Sequence, residues 1–403
     1  MRVVLALLCA GFWTAVLAAP STLNSTPSLN ATGSNCAGIN GLSPRCRPVE
    51  ANHRREVFYV GGHYQLDPQT QQHFLVDQMY VEKLTPFRSP HQRYPLVFFH
   101  GGGYSGAAWL QTPDGRQGFA SYFLERGYVV YLVDQVGTGR STQADLTAYP
   151  IKGVQSAEIT LRGFTRMQDY NDYPQAKLHT QWPGTGREGD SAFEALANLA
   201  IPLTTNNDRL ESSMRNAGCI LLSIIGKSFL ISHSIGAIHP ILLSDQCPDL
   251  IAGNLNLEPT TVPFESIVGG PSSPNAGRVP NRKWGLTNTP LTYLPPTTNP
   301  EDLKPVRAGP DSAARRSCLR QSEPARKLPN INKVPYVALT GEASQHAGSD
   351  HCIVEYLQQA GGKPEWIRLA QIGIHGNGHF GYLERNSEQI AKVAERWIRR
   401  HEV

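Results

Sequence analysis

Long runs of lysine or arginine are missing from this chain. Its 37 basic and 33 acidic residues leave a formal charge of only +4 over 403 residues, so the composition gives no support to nucleic-acid binding. No C-x-x-C spacing occurs, which removes the usual sequence sign of a zinc site. Beyond its first twenty residues the chain has no apolar stretch long enough to span a bilayer, so stable membrane insertion is not expected. No internal repeat is visible. What is present is a 40% hydrophobic content, enough for a sizeable core. The length fits one large α/β domain with an insertion as well as it fits two domains.

The N-terminus, "MRVVLALLCAGFWTAVLAAP", has one arginine, an apolar run, and small residues at Val16, Ala18 and Ala19. It reads as a secretory signal peptide over 1–19. The rival, a membrane anchor, is disfavoured by the shortness of the run. Removing it removes Cys9 and leaves six cysteines, an even number that in an exported chain favours disulfides. Of fifteen pairings, the nearest-neighbour one is expected: Cys36 with Cys46, Cys219 with Cys247, Cys318 with Cys352. Residues 20–52 are polar and rich in Pro, Ser and Asn, a flexible leader. Asn24 and Asn30 lie in glycosylation sequons within it.

From residue 53 onward the pattern changes. "EVFYVGG" (56–62) and "DQMYVEKL" (77–84) alternate apolar and polar residues and suit a hairpin at a sheet edge. "YPLVFFH" (94–100) and "YVVYLVDQ" (128–135) are near-continuous apolar runs, suited to strands covered on both faces. Strand-like and helix-like segments then alternate. Strands are expected in "SFLISHS" (228–234), "LIAGNLNLEP" (250–259), "PYVALTGE" (335–342) and "EWIRLAQI" (365–372). Helices are expected at 118–127, 208–226, 236–246, 352–361 and 387–401. This order implies an α/β class with a mostly parallel sheet and helices on both faces. Residues 260–333 break the rhythm, with much Pro, Ser, Gly and Arg. A stretch of that length is a functional lid or disorder. Its place after a strand's C-terminal end, where open α/β sheets put their ligands, favours a lid.

The chemistry gathers around "SHSIG" (232–236). Strand, sharp turn and helix place Ser234 on an elbow, with small residues two before (Ser232) and two after (Gly236). The bland alternative is that Ser234 caps a helix. A serine nucleophile needs a base and donors for a developing oxyanion. "FFHGGGYSG" (98–106) follows a strand and offers backbone donors, and it lacks the Lys-Ser/Thr of a phosphate-binding loop. The amides of Gly102 and Ile235 are the expected pair. The base should come late in the chain, and "GIHGNGHFGYLERN" (373–386) offers His375 and His379, of which His379 is preferred. For His100, His179 and His233 a local structural hydrogen bond is expected. The carboxylate that holds the base could be Glu258, or Glu342 or Asp350 after the next strand. Glu258 closes an apolar strand, where an unpaired charge would be costly.

Several strings resemble the α/β-hydrolase superfamily, and more narrowly the secreted bacterial esterases with a glutamate in the triad. They are "HGGGYSGAAWLQTPDGRQGFASYFLERGYVVYLVDQVGTGRS" (100–141), "HTQWPGTGREGDSAFEAL" (179–196), "SHSIGA" (232–237), "LNLEP" (255–259) and "GNGHFGYLERN" (376–386). The resemblance implies an α/β-hydrolase fold over 53–403, with a lid insertion of about 260–333 after the strand ending at Glu258. It implies a Ser234, Glu258, His379 triad. A member of that group carries paired cysteines in its oxyanion loop. Here Gly102 and Gly103 stand there, so that disulfide does not transfer.

The expectation is therefore a secreted, extracellular serine hydrolase acting on a small-molecule carboxylic ester or lactone. No metal or organic cofactor is required, and the resemblance permits a homodimer. Two alternatives share the site: a tailoring enzyme that opens lactones or rearranges a natural product, and a binding scaffold without activity.

Overall fold

The computed structural model describes residues 36, 40–41, 43–87, 91–268, 277–312 and 314–402. The expected signal peptide and the sequons at Asn24 and Asn30 lie outside the described residues.

Eight strands form one sheet: β1 (His53–Asp67), β2 (Gln72–Pro86), β3 (Leu96–Phe99), β4 (Val130–Val133), β5 (Ser228–His233), β6 (Ile251–Leu257), β7 (Tyr336–Thr340) and β8 (Glu365–Arg368). Their order is β1-β2-β4-β3-β5-β6-β7-β8. The β1–β2 hairpin is antiparallel and joins β4 antiparallel. Every other neighbouring pair is parallel. The frame includes the helices α1 (Phe119–Leu124), α2 (Ser191–Leu199), α3 (Asn207–Ile225), α4 (Ile238–Gln246), α5 (His351–Gln359) and α6 (Ser387–Arg400), and a further α-turn occupies Ala157–Thr160.

The alternation of side chains across each strand sorts the core into two layers. Val97, Phe99, Val133 and Leu230 pack with Leu210, Met214 and Leu221 of α3. Leu96, Phe98, Leu132, Phe229 and Ile231 pack on the other side with Phe119 and Phe123 of α1 and Trp397 and Ile398 of α6. This is why the central strands read as unbroken apolar runs. Local signals set the helix ends. Asn206 caps α3 by accepting from the Arg209 amide at 3.1 Å, and Gly226 ends it at φ +84°. In α6, Ile390, Ala394, Trp397 and Ile398 share one buried face, with Glu388 in the first turn and Arg399 and Arg400 in the last, complementing the helix dipole.

The last strand is shorter than its sequence suggests. "EWIRLAQI" is strand only to Arg368, and Leu369–Ile372 is a 3-10 turn. Its partner β7 offers only Val337–Thr340 for pairing, so the edge strand runs out of ladder and turns away.

Residues 260–333 contain two small ribbons, Glu265–Val268 with Gly277–Pro280 and Pro305–Ala308 with Cys318–Gln321. Trp284, Leu286, Leu291, Tyr293 and Leu303 of this stretch are buried with Ile238, Ile241 and Leu242 of α4 and Tyr356 of α5. The Tyr293 hydroxyl donates to the Trp284 carbonyl and meets the Tyr356 hydroxyl, each at 2.7 Å. Periodicity is absent because turns, rather than a regular repeat, bring these anchors together.

The three disulfides join Cys36 to Cys46, Cys219 to Cys247 and Cys318 to Cys352. They are the nearest-neighbour pairs expected from the cysteine count. Cys219–Cys247 ties α3 to the end of α4, and Cys318–Cys352 ties the insertion to α5. No helix among the described residues is long and apolar enough to cross a membrane. The Cys219–Cys247 bridge closes 28 residues, for which loop-closure entropy predicts about 3–4 kcal/mol. The double variant Cys219→Ala/Cys247→Ala should lose that much in a urea titration. An unchanged midpoint would contradict this assignment.

Candidate active site

Ser234 sits at φ +56° between β5 and α4, a backbone region that non-glycine residues seldom occupy. The neighbours explain how it is held. A Cβ on Gly236 would lie 2.3 Å from the His100 carbonyl oxygen, so the turn after the serine packs directly on the end of β3. Ser232 is buried, and its hydroxyl donates to Asn256 Oδ1 at 2.6 Å, which leaves no room for a larger side chain between β5 and β6. These two contacts account for the small residues on either side of the elbow.

The glycine loop follows β3 and lies against this turn. A Cβ on Gly101 would meet His233 Nδ1 at 2.7 Å, and one on Gly102 would meet Ile235 Cγ2 at 3.0 Å. Gly102 and Ile235 are therefore neighbours, as a two-amide oxyanion pocket requires. Gly103, at φ +79°, turns the loop and accepts a hydrogen bond from the Ile201 amide at 2.8 Å.

Glu258 follows β6 at φ +53° and is buried. The Gly341 amide donates to its Oε1 and the Ser344 hydroxyl to its Oε2. His379 Nδ1 lies 3.8 Å from that Oε2, with both side chains buried. This is ion-pair range rather than a hydrogen bond, and Nδ1 has no hydrogen-bond partner among the described residues. The His379 backbone is fixed through its carbonyl, which accepts from His233 Nε2 at 3.0 Å. The loop around it is held by Glu384, which accepts from the Gly378 amide at 3.0 Å and from Asn377 Nδ2 at 2.7 Å. Glu384 also faces His179 Nε2 at 2.8 Å.

The rival residues have other partners. Glu342 faces His375 Nδ1 at 3.1 Å and accepts from the Gly376 amide at 2.9 Å. His375 is on the surface, with 63% of its side chain exposed. Asp350 accepts from the Thr340 hydroxyl at 2.6 Å and faces His346 Nδ1 at 3.2 Å. Of the three other candidate histidines, His179 and His233 make the long-range hydrogen bonds given above rather than the local ones expected, and His100 Nε2 accepts from the Gln135 amide at 3.0 Å.

Two further residues, Thr260 and His346, stand near the centre without belonging to the motifs above. Thr260 Oγ1 lies 3.0 Å from Ser234 Oγ and is the only hydrogen-bond partner of that hydroxyl among the described residues. The Thr260 amide also donates to the Ser234 carbonyl at 3.2 Å. In this arrangement the serine is turned toward Thr260, and no hydrogen bond joins it to His379. His346 stacks on the His379 ring, with centroids 4.5 Å apart and planes 22° apart. Its place four residues before Asp350, at helical spacing, was the available clue.

Glu258, His346 and His379 bring three ligand atoms within 4.8 Å of one another. His346 Nδ1 is already shared between Asp350 and the Pro259 carbonyl, and both Glu258 oxygens already accept hydrogen bonds. The other such cluster, Cys318, His351 and Cys352, has its two sulfurs joined in a disulfide.

Burial governs the electrostatics. Glu258 is pushed well above the usual carboxylate range, first by desolvation and then by the nearby Asp350 charge. His379 is held well below the ordinary imidazole value, by desolvation first and then by His346 and His233. A cavity of about 600 Å³ opens at the elbow turn, lined by Ser234, Ile235, Gly102 and Gly103 among others, with His379 and Glu258 outside its lining.

The sequence profile of the alpha/beta hydrolase family matches residues 96–393. A curated relative from a fungus (strain ATCC 74256), the probable secreted lipase phiG, is 38% identical over 346 residues. The match covers 85% of this chain and 89% of the relative. A solved structure of a novel bacterial esterase superposes with a TM-score of 0.60 at 23% identity, covering 89% of this chain and 98% of that one. At that identity the likeness speaks for the fold.

A depressed imidazole keeps His379 neutral, hence able to accept a proton, below the ordinary value of about 6.5. The rate at which a fluorophosphonate labels Ser234 should therefore hold through pH 6.5 and decline only in more acidic solution. A midpoint at or above pH 7 would contradict this description of the site.

Proposed function

The chain belongs to the alpha/beta hydrolase family, and on that footing we propose that it is a secreted serine hydrolase cleaving carboxylic esters or lactones through an acyl-enzyme. Membership makes it a hydrolase of the α/β fold. The name of its fungal relative, a lipase, supports ester substrates, and the word "secreted" in that name supports export.

One observation carries the serine mechanism. A serine held at φ +56° at the C-terminal end of the sheet directly follows His233, whose ring lies 4.6 Å from the ring of His379, a histidine whose Nδ1 lies 3.8 Å from a buried glutamate. A solvated serine serving only as a helix cap needs neither feature.

The steps follow from the chemistry of the groups. Rotation of the Ser234 hydroxyl away from Thr260 turns it to His379. Oγ attacks the substrate carbonyl carbon as His379 Nε2 takes its proton. The carbonyl oxygen becomes an oxyanion held by the Gly102 and Ile235 amides. Glu258 keeps the ring oriented and stabilises the imidazolium. His379 then returns the proton to the leaving alkoxide as the ester bond breaks. Water repeats the sequence on the acyl-enzyme, His379 acting again as base, and releases the acid and free Ser234. In a lactone the alkoxide stays tethered, and the product is a hydroxy acid. His346, stacked on His379 and anchored by Asp350, limits rotation of the base.

In this reading residues 1–19 are the signal peptide, 20–52 a leader glycosylated at Asn24 and Asn30, and 53–403 the hydrolase domain. The insertion 260–333 borders the cleft through Ser266 and Asn281, as part of a lid.

The test is active-site labelling. A fluorophosphonate should modify Ser234, located by peptide mapping, and Ser234→Ala should take up no label. That variant should keep its thermal midpoint and lose about 10⁴–10⁶ in kcat on p-nitrophenyl esters. Label on another serine, or activity surviving in Ser234→Ala, would refute the assignment. It would leave the inactive scaffold or a different nucleophile.

A further inference from the structure

The steps above make no use of His239, which is 2% exposed and begins the second position of α4, five residues after Ser234. It lines the same cavity as Ser234. Its Nδ1 is enclosed without a hydrogen-bond partner, and its other ring nitrogen has none among the described residues. The enclosed Nδ1 carries a standing cost, because it has given up water without gaining a partner; Nε2 is not enclosed and is the ring atom that a ligand in the cavity can reach.

The other buried polar groups along this wall are already committed. His100 Nε2 accepts from the Gln135 amide, and Gln135 Nε2 donates back to the His100 carbonyl. Glu211 takes the amides of Asn288 and Thr289 at 2.8 and 2.9 Å and both of their side chains. A second lining residue is in a similar condition: Gln155 Oε1 is enclosed and without a partner. Lysine and arginine reach the described lining only through Lys152, on a short exposed strand.

These groups define a ligand. Desolvation pushes His239 down to about 3, so at working pH it is a neutral ring with one donor and one acceptor. Gln155 Nε2, which makes no hydrogen bond among the described residues, adds a donor. Neither asks for charge, and both ask for an oxygen function. We propose that His239 and Gln155 recognise a second oxygen, a hydroxyl or carbonyl, on a neutral substrate. The preferred substrates are then short, oxygenated esters or lactones rather than plain fatty acyl esters. This rests on Ser234 as the nucleophile of the same cavity. An apolar chain would leave His239 and Gln155 unpaired in the complex, and a site built around polar groups rejects such analogues more strongly than an apolar pocket rejects a wrong length.

The experiment compares matched esters. One pair places the extra oxygen on the acid, p-nitrophenyl 5-oxohexanoate against p-nitrophenyl hexanoate. The other places it on the alcohol, 4-hydroxybutyl hexanoate against butyl hexanoate. The enzyme should favour the oxygenated member of at least one pair by roughly 10- to 100-fold in kcat/KM. His239→Phe should collapse that ratio toward unity. Gln155→Leu, on a loop outside the helix, should lower the same ratio, and it keeps the test open if the buried phenylalanine prevents folding. No preference in either pair would overturn the proposal, as would a ratio that survives in the folded variants. Fluorophosphonate labelling of the wild-type enzyme separates the two levels. An unlabelled Ser234 sinks the catalytic reading, whereas labelling without oxygen preference sinks only this one.

Discussion

A methyl group has no room between Gly236 and the carbonyl of His100, and the site depends on that closeness. It brings the start of α4 onto the end of β3, so two loops that are far apart in sequence meet with their backbones in contact. The serine side of the turn then has little choice of conformation. Ser234 adopts φ +56°, at a cost of order 1–3 kcal/mol for such a residue, because packing around it determines the turn. The same contact sets Gly101 and Gly102 beside His233, Ser234 and Ile235, with glycines exactly where side chains would collide. The placement of Ser234 and of the Gly102 and Ile235 backbone, the proposed nucleophile and amide donors, thus follows from one steric constraint.

The acid–base half is built on a different principle. Here ionisable groups are taken out of water and satisfied by neutral donors. Glu258 receives the Gly341 amide and the Ser344 hydroxyl, and Asp350 receives the Thr340 hydroxyl. No lysine or arginine neutralises either one through a described hydrogen bond or ion pair. Burial therefore raises both carboxylates and lowers His379. A resting site of this kind stores little charge. Charge separation between Glu258 and His379 gains value when substrate chemistry puts a proton on the ring. The stack of His346 on His379 adds rigidity without adding a competing hydrogen bond to the ring.

The insertion links the cleft to the rest of the fold. Its aromatic anchors share a cluster with α4, the helix that begins at the nucleophile turn. Glu211 of α3 holds the backbone of Asn288 and Thr289, and the Cys318–Cys352 bridge fastens it to α5. The cavity wall is consequently supported from three sides, and Ser266 and Asn281 are carried to its edge on packed chain.

Much of this was legible in the residues. The succession of apolar runs, the helices that follow most of them, the elbow around Ser234, the glycine loop and the late histidine all depend on short-range patterns. Side-chain period, turn chemistry and backbone sterics act within a few positions, and a string of letters displays them. The cysteine count pointed to disulfides, but the nearest-neighbour pairing was one of fifteen open to the sequence, and the fold selects it. Three further matters were decided only when the chain closed on itself. Which of Glu258, Glu342 and Asp350 lies beside His379 follows from where β6 and β7 end relative to the last loop. The turning of the Ser234 hydroxyl toward Thr260, and the stacking of His346, are contacts between segments with no shared pattern. The unpaired nitrogens of His239 are likewise invisible in sequence, because a missing partner is a property of the whole surrounding volume. Local bonding preferences are written residue by residue, but burial and partnership among distant groups exist only once three-dimensional packing has excluded water.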